Sequence, residues 1–328
     1  MNPPTPNHHE PLNWVSPHGT VTLLPERGRV LGMTVGRHQA LWQPAELTGD
    51  WNLGGERLWI GPEADWFWRK TDRVDFDYYS VPTALDPDLW RVLNRGNGVC
   101  ECELELKLNS HHSDKSLNLL LSRRFSLLVA GRFETAERAI SLCQTTSVKI
   151  LGGTPGQPVD LWSIVQVPIG GIMLMPTVGN PSPRDYFSPC PSGEIQSCAG
   201  VFSLRIGGPD LFKVGIGPTQ SVGRIAYARR VEGGVLVIER SFPVHRSLGY
   251  CDAPLGFQGL NGDAVQFFND GGDFGSFGEM EHRSPAIYCG QGEQILTETT
   301  VTTVSLMSHQ EWKKWRDSYA PSLSDDIP

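Results

Sequence analysis

The sequence predicts an all-β protein, a large sandwich of antiparallel sheets with one short C-terminal helix. Three observations point there. Glycine (36) and proline (25) are both plentiful among the 328 residues, a usage that suits many short strands joined by turns. Strand-length apolar or alternating segments recur along most of the chain, with turn residues between them. Only His309 to Tyr319 carries a helical pattern, with Trp312 and Trp315 spaced to hold it against the body. A chain of this length can bury a large core, and no internal repeat or linker divides it. Residues 19–319 are therefore expected to form a single domain between flexible tails at 1–18 and 320–328.

The elements follow in order. Thr20 to Trp42 reads as three short strands, with Pro25-Glu26-Arg27-Gly28 and Val35-Gly36-Arg37-His38 as turns. Thr71 to Ser80 and Asp86-Pro87-Asp88 read as an irregular excursion. Glu101 to Leu108 alternates strictly: Cys102, Leu104, Leu106 and Leu108 take one face, Glu101, Glu103, Glu105 and Lys107 the other. That is a half-buried antiparallel strand with one wet face. Leu117 to Ala130 and Ala139 to Lys149 continue the sheet across a turn at Gly131-Arg132-Phe133-Glu134. After a Gly/Pro loop at Leu151 to Pro158, Asp160 to Pro168 is a strand with Trp162 and Ile164 on one face and Ser163 and Val165 on the other. Ile172 to Thr177 follows the Gly170-Gly171 turn. Asn180 to Ser197 is a polar, proline-rich loop, long enough to suggest a lid. Val201 to Ile206, Leu211 to Ile216, Arg224 to Val231 and Gly234 to Phe242 make four strands, the last two joined at Glu232-Gly233-Gly234. Ala264 to Asn269, Gly278 to Glu281 and Glu293 to Leu306 complete the pattern.

Composition narrows the function. Lys+Arg of 28 against Asp+Glu of 36 gives a formal net charge of −8, so a phosphate backbone is a poor partner and no nucleic acid is expected. The longest apolar candidate, Ile164 to Val178, is interrupted by Pro168, Gly170, Gly171 and Pro176, so no membrane span is expected. Met1 to Leu12 lacks the pattern of a secretory signal, and a cytoplasmic location is expected. The seven cysteines are scattered rather than set at framework spacings, and read as buried reduced thiols.

Most catalytic signatures are missing. The nine histidines form neither HExxH nor a His-x-His pair, so no metal is expected. Asp273-Phe274-Gly275 stands without the other kinase motifs. Gly215-x-Gly217 lacks the third glycine and the helix of a dinucleotide site. What remains is carboxylates, tryptophans and a few cations. Gly54 to Glu63 brings two glycines, Glu56, Arg57, Trp59 and Glu63 together, with Asp65, Trp66 and Trp68 just beyond, a mixture suited to a polyhydroxylated ligand. In Gly278 to Pro285 the alternation puts Glu279 and Glu281 on one strand face and Met280 and His282 on the other. A carboxylate pair, or a carboxylate beside Arg57 or Arg283, is the equipment for proton transfer at a sugar carbon. His245, just past a strand end, is a further candidate. Lys213 faces opposite to its apolar strand neighbours, toward solvent in the simplest reading.

Gly54-Gly55-Glu56-Arg57-Leu58-Trp59 with Pro62-Glu63, Leu161 to Pro168, Phe212-Lys213-Val214-Gly215, and Glu279-Met280-Glu281 with Ser284-Pro285 and Gly290-x-Gly292-Glu293 resemble, in that order, motifs of bacterial proteins of the galactose mutarotase-like superfamily. The resemblance spans about Gly19 to Trp315. It implies a β-supersandwich whose concave face binds a small-molecule carbohydrate, a sugar or sugar acid, with no cofactor. In mutarotases of that superfamily a His is the general acid on the ring oxygen and a late Glu the general base. Here the Glu corresponds to Glu279 or Glu281 and the early Arg to Arg57. The family's His shortly before Tyr-Phe-Asn has no counterpart at Phe267-Phe268-Asn269, and His245 stands in for it. The expected substrate-binding set is Arg57, Trp59, Glu63, Trp66, Gln166, Lys213 and Arg283. The implied activity is aldose 1-epimerase-like, or hydrolysis or elimination; the alternatives are a non-catalytic carbohydrate-binding or sensing domain, and a structural knot in which Arg57 pairs with Glu63 over a buried Trp59.

Overall fold

A computed structural model describes residues 10–46, 52–86, 89–128, 138–198, 200–257 and 261–321. Among them the strands form two antiparallel sheets of eleven and ten strands. The first runs, edge to edge, through Leu12–Val15, Gly19–Leu24, Arg29–Val35, Glu56–Gly61, Pro158–Pro168, Phe277–Arg283, Val265–Asn269, Phe212–Ile216 and Arg184–Asp185, with His38–Gln39 beside Arg29–Val35 and Ile287–Tyr288 beside Pro158–Pro168. The second runs through Ile195–Cys198, Val201–Ile206, Gly171–Pro176, Arg224–Val231, Gly234–Ser241, Ile295–Met307, Ala139–Gly153, Ser116–Leu128, Val99–Asn109 and Arg91–Arg95. The chain crosses between the sheets repeatedly, so the motifs far apart in sequence meet at the centre of the first sheet.

The sandwich and its helix are as the sequence predicts. Cys102, Leu104, Leu106 and Leu108 point into the core between the sheets, and Glu105 and Lys107 point out. The helix His309–Tyr319 starts on a capping box in which Ser308 and Glu311 satisfy each other's backbone N–H. It lays Trp312, Trp315 and Tyr319 on the outer face of the second sheet, over Ile172, Leu174, Ala226 and Val237. The described cysteines Cys100, Cys102, Cys143, Cys190, Cys251 and Cys289 are free.

Several boundaries differ from expectation. Leu12–Val15, assigned to the N-terminal tail, pairs with Gly19–Leu24, because Trp14 buries its indole in the core. The strand Ala139–Gly153 runs into the expected Gly/Pro loop. Asn180 to Ser197 contributes an edge strand to each sheet, Arg184–Asp185 and Ile195–Cys198. The turn at Gly131 to Glu134, Pro87, Asp88, and the ends 1–9 and 322–328 lie outside the described residues.

Two features of the first sheet set the site. Gly54 and Gly55 both sit at φ +77°, and a Cβ on Gly55 would lie 2.1 Å from the Val30 carbonyl oxygen. Only glycine permits that turn and that approach, which brings Glu56–Gly61 alongside Arg29–Val35. The register then decides which side chains face outward. Trp59 is opposite Trp162, Arg57 opposite Ile164, Trp162 opposite Arg283, Gln166 opposite Glu279, and Phe268 opposite both Glu279 and Lys213. With a side-chain period of two, Arg57, Trp59, Trp162, Gln166, Lys213, Phe268, Glu279, Glu281 and Arg283 all emerge on the side away from the sandwich core. The alternate residues face inward, where Glu56 is clamped by Arg123 at 2.7 and 2.9 Å and by Ser163 at 2.8 Å.

Candidate functional site

The outward face of the first sheet is roofed by the segment after Gly61. Glu63–Trp66 forms a single helical turn, and its geometry separates Glu63 from Trp66. Glu63 turns toward the sheet, its backbone N–H donating to Asp252 Oδ1 at 2.7 Å. Trp66 is fully buried in the core, its Nε1 donating to the Gly61 carbonyl at 3.3 Å. The irregular excursion then returns over the sheet and brings Phe76 and Tyr79 across it. Phe187, from the Asn180 to Ser197 loop, and Phe274 complete the roof, packing on Phe76 at centroid distances of 5.1 and 5.9 Å.

Beneath this roof lies a cavity of about 50 Å³ lined by Arg57, Trp59, Glu63, Phe76, Tyr79, Trp162, Phe187, Lys213, Phe268, Phe274, Phe277, Glu279 and Glu281. Its charged groups fall into two sets. In the first, Arg57 Nη2 donates to Glu279 Oε1 at 2.8 Å and Gln166 Nε2 to the same oxygen at 3.0 Å, while the guanidinium lies 4.0 Å above the Trp59 ring. Both donors use the same oxygen, Oε1. In the second, Lys213 Nζ bridges Glu63 Oε2 and Glu281 Oε2, each at 3.1 Å, and rests 4.4 Å over Trp162. Trp162 Nε1 donates to Glu281 Oε2 at 2.5 Å, and Glu281 Oε1, fully buried, has no hydrogen-bond partner among the described residues.

Burial dominates the protonation of this cluster. It pushes the carboxyls of Glu63, Glu279 and Glu281 up, against the pull of Lys213 on the first and last and of Arg57 on the second. Lys213 moves up despite burial, because Glu281 and Glu63 favour its charged form. Behind Trp162, Arg283 stacks at 4.1 Å and pairs with Asp160 at 3.1 Å and Asp252 at 3.0 Å. Among the described residues no group of three or more His, Cys, Asp and Glu is arranged to hold a metal ion.

Six of the ten sequence candidates, Arg57, Trp59, Glu63, Lys213, Glu279 and Glu281, line one cavity. Four do not. Trp66 is a core residue; Gln166, fully buried, holds Glu279 from below; Arg283, fully buried, supports Trp162. His245 is not among the lining residues: its backbone N–H bonds the Tyr250 hydroxyl in a loop beyond the strand end. Lys213 is not solvent-facing but 2% exposed, inward of the roof. Nor do Arg57 and Glu63 pair with each other; each has its partner on another strand. The site residues expected from the sequence do not include Trp162 or the roof aromatics Phe76, Tyr79, Phe187 and Phe274. Trp162 shares its strand face with Gln166, a signal that could have been used; the roof sits on irregular chain, where no period marks a face.

Residues 42–152 match a family described as of unknown function, DUF6786, and no curated protein sequence matches the chain. In structure the chain is similar to a candidate aldose 1-epimerase from Escherichia coli K12, at 12% identity over 91% of this chain and 99% of that one, with a TM-score of 0.59. It is similar to a galactose mutarotase related enzyme from Lactobacillus acidophilus, at 7% identity over 91% and 98%, with a TM-score of 0.52. A galactose mutarotase-like protein from Lactobacillus casei gives 10% identity over 90% and 100%, with a TM-score of 0.50. Identities this low speak for architecture alone. The chain has the galactose mutarotase-like fold.

Proposed function

We propose that the cavity on the outward face of the first sheet binds a sugar and moves protons at its ring by carboxyl acid/base catalysis, with 1-epimerisation the favoured reaction. The observation that carries this reading is the pairing of two unlike carboxyl environments in one cavity: Glu279, held by Arg57 and Gln166 through a single oxygen, and Glu63, drawn against Lys213 beside a second carboxylate. Two titratable groups held by different partners in one cavity are what acid/base chemistry needs, one to take a proton while the other gives one. Glu279 serves as base and Glu63 as acid, in the place expected for His245. Glu279 takes the proton of the anomeric hydroxyl, the bond between C1 and the ring oxygen breaks, and Glu63 gives its proton to that oxygen. Rotation about C1–C2 and reversal of the steps yields the other anomer with both protons restored. Glu281 and Trp162 bind the ring, and Arg57 and Lys213 fix the carboxylates rather than the substrate.

The cavity, far below the ~300–1,000 Å³ of ordinary ligand pockets, admits a ring only when the roof of Phe76, Tyr79, Phe187 and Phe274 shifts outward. Following freshly dissolved α-anomers by polarimetry or NMR tests the reading. Acceleration of anomer exchange by the protein supports it. Saturable sugar binding without acceleration would assign the cavity to recognition, the non-catalytic alternative, and the absence of both would overturn it.

A further inference from the structure

The charges on the outward face do not balance. Arg57, Lys213 and Arg283 are the cations of the connected cluster, and Glu63, Glu279, Glu281, Asp160 and Asp252 are its carboxyls, all 6% exposed or less. Five acids against three cations leave a formal surplus of two negative charges. Across the sheet Glu56 is paired with two arginines, Arg123 and Arg240, one cation in excess, which does not make up the two. Asp86 and Asp263 have their own arginines, Arg29 at 2.7 Å and Arg184 at 2.5 Å, and Asp270 is satisfied by the backbone N–H groups of Gly272, Phe274, Gly275 and Ser276.

A second observation concerns a residue of the cavity's own lining. Glu281 Oε1 is a buried acceptor without a donor among the described residues, and a buried polar group left unpaired is costly, so a donor supplied by a ligand is favoured there. The cavity that Glu281 lines is walled largely by aromatic rings, with Trp162, Phe76, Tyr79, Phe187, Phe268 and Phe274 around the same space. Carboxylates set among aromatic rings favour an ammonium group, which brings charge, three donors and an attraction for ring faces. An anionic sugar meets the opposite situation: both cations that line the cavity already hold carboxylates at 2.8 and 3.1 Å, and the surplus repels it.

Taking the sugar-site reading above as its basis, we infer that the ligand is an amino sugar, whose ammonium donates to Glu281 Oε1 while its ring lies among the roof aromatics. This narrows the expected sugar or sugar acid to a cationic sugar. One consequence separates it from a neutral ligand. The free cluster lowers its surplus by keeping protons on carboxyls that burial pushes up, and an arriving cation displaces protons from it.

Calorimetric titration of the full chain at pH 7 decides the matter. The 2-amino-2-deoxy forms of glucose, galactose and mannose are compared with the parent hexoses, the neutral N-acetyl derivatives and the uronic acids, in buffers of different ionisation heat. At least one amino sugar is expected to bind about tenfold or more tighter than its parent and its N-acetyl form, a difference of about 1.4 kcal/mol, with proton release on binding. Glu281→Gln is expected to remove most of that preference; should the variant fail to fold by circular dichroism, the wild-type comparison still decides. Parent hexoses binding as tightly as amino sugars, or uronic acids binding tighter, overturns the inference and leaves the sugar site standing. If none of these sugars binds, the sugar site fails and the inference with it.

Discussion

Arg57 and Glu279 lie 222 residues apart in the chain and are joined by a 2.8 Å hydrogen bond on the outward face of the first sheet. Neither is solvated, with side chains 4% and 8% exposed. Removing one partner of a buried pair leaves an uncompensated charge, a loss of about 3–5 kcal/mol, whereas removing both costs far less. Arg57→Met is therefore expected to lower stability in urea melts by that order, and Arg57→Met with Glu279→Leu to recover most of the loss. If the double variant is no more stable than the single, the pair is not the closure that joins these strands.

The acid/base assignment separates residues that the sequence alone could not. General acid/base groups contribute about 10²–10⁴-fold. Glu279→Gln and Glu63→Gln are each expected to reduce anomer exchange by at least about 100-fold while sugar affinity changes far less. His245→Ala is expected to leave the rate unchanged. A rate loss in His245→Ala comparable with that of Glu63→Gln would return the acid's role to the loop beyond the strand end.

What the sequence disclosed and what it hid follows from periodicity. Glu279 and Glu281 were legible because alternation in a strand assigns faces without any tertiary knowledge, and the register delivers both to one cavity. Alternation puts Lys213 on the correct side of its strand, but the sequence does not show that Glu63–Trp66 and the excursion behind it roof that face, so the residue reads as solvent-facing. Gly54 and Gly55 declared a close backbone approach, and the 2.1 Å that a Cβ on Gly55 would leave to Val30 is its measure. Trp66, expected to bind substrate, lies in the core because one helical turn points Glu63 and Trp66 to different sides. His245 lies off the cavity lining for a different reason: a position just past a strand end says that a side chain is displayed, not at which end of the sandwich.

In the proposed sugar site the roof makes entry a step in its own right. Phe76 touches Trp68, Tyr79, Phe187 and Phe274 with ring centroids 5.1–5.9 Å apart, so it ties the excursion to both neighbouring loops. Phe76→Ala is expected to loosen all of these contacts and to speed sugar association by about tenfold in stopped-flow binding, with a smaller change in the equilibrium constant. Closure-limited binding typically shows lowered association rates; an unchanged association rate in Phe76→Ala would mean that the roof opens elsewhere.

Between the sheets, behind the site, sits a second titratable pair whose effect on stability has a definite sign. His282, on the inward face of the strand carrying Glu281, stacks on Phe242 at 4.3 Å and approaches Glu298 Oε2 at 3.8 Å. Burial, with a further push from Asp160 and against Arg240, raises the Glu298 carboxyl to about 8. Burial, helped by Arg240 and Arg123, holds His282 well below its usual range. For Glu298 the folded protein keeps a proton that the unfolded chain releases above its ordinary value of about 4.5, so stability falls by about 1.4 kcal/mol per pH unit from there to about pH 8 and levels off beyond. For His282 the unfolded chain takes a proton that the folded protein refuses, so stability falls as pH drops below about 6.5. The two slopes oppose each other below about pH 6.5, and only the Glu298 slope operates above it. Glu298→Gln deletes one of them. The stability difference between this variant and the wild type, measured by urea melts at pH 5, 6.5 and 8, is therefore expected to shift steadily in the variant's favour as pH rises. A difference that stays constant across that range would show that Glu298 is ionised in the folded protein, with Arg240 rather than burial governing its charge.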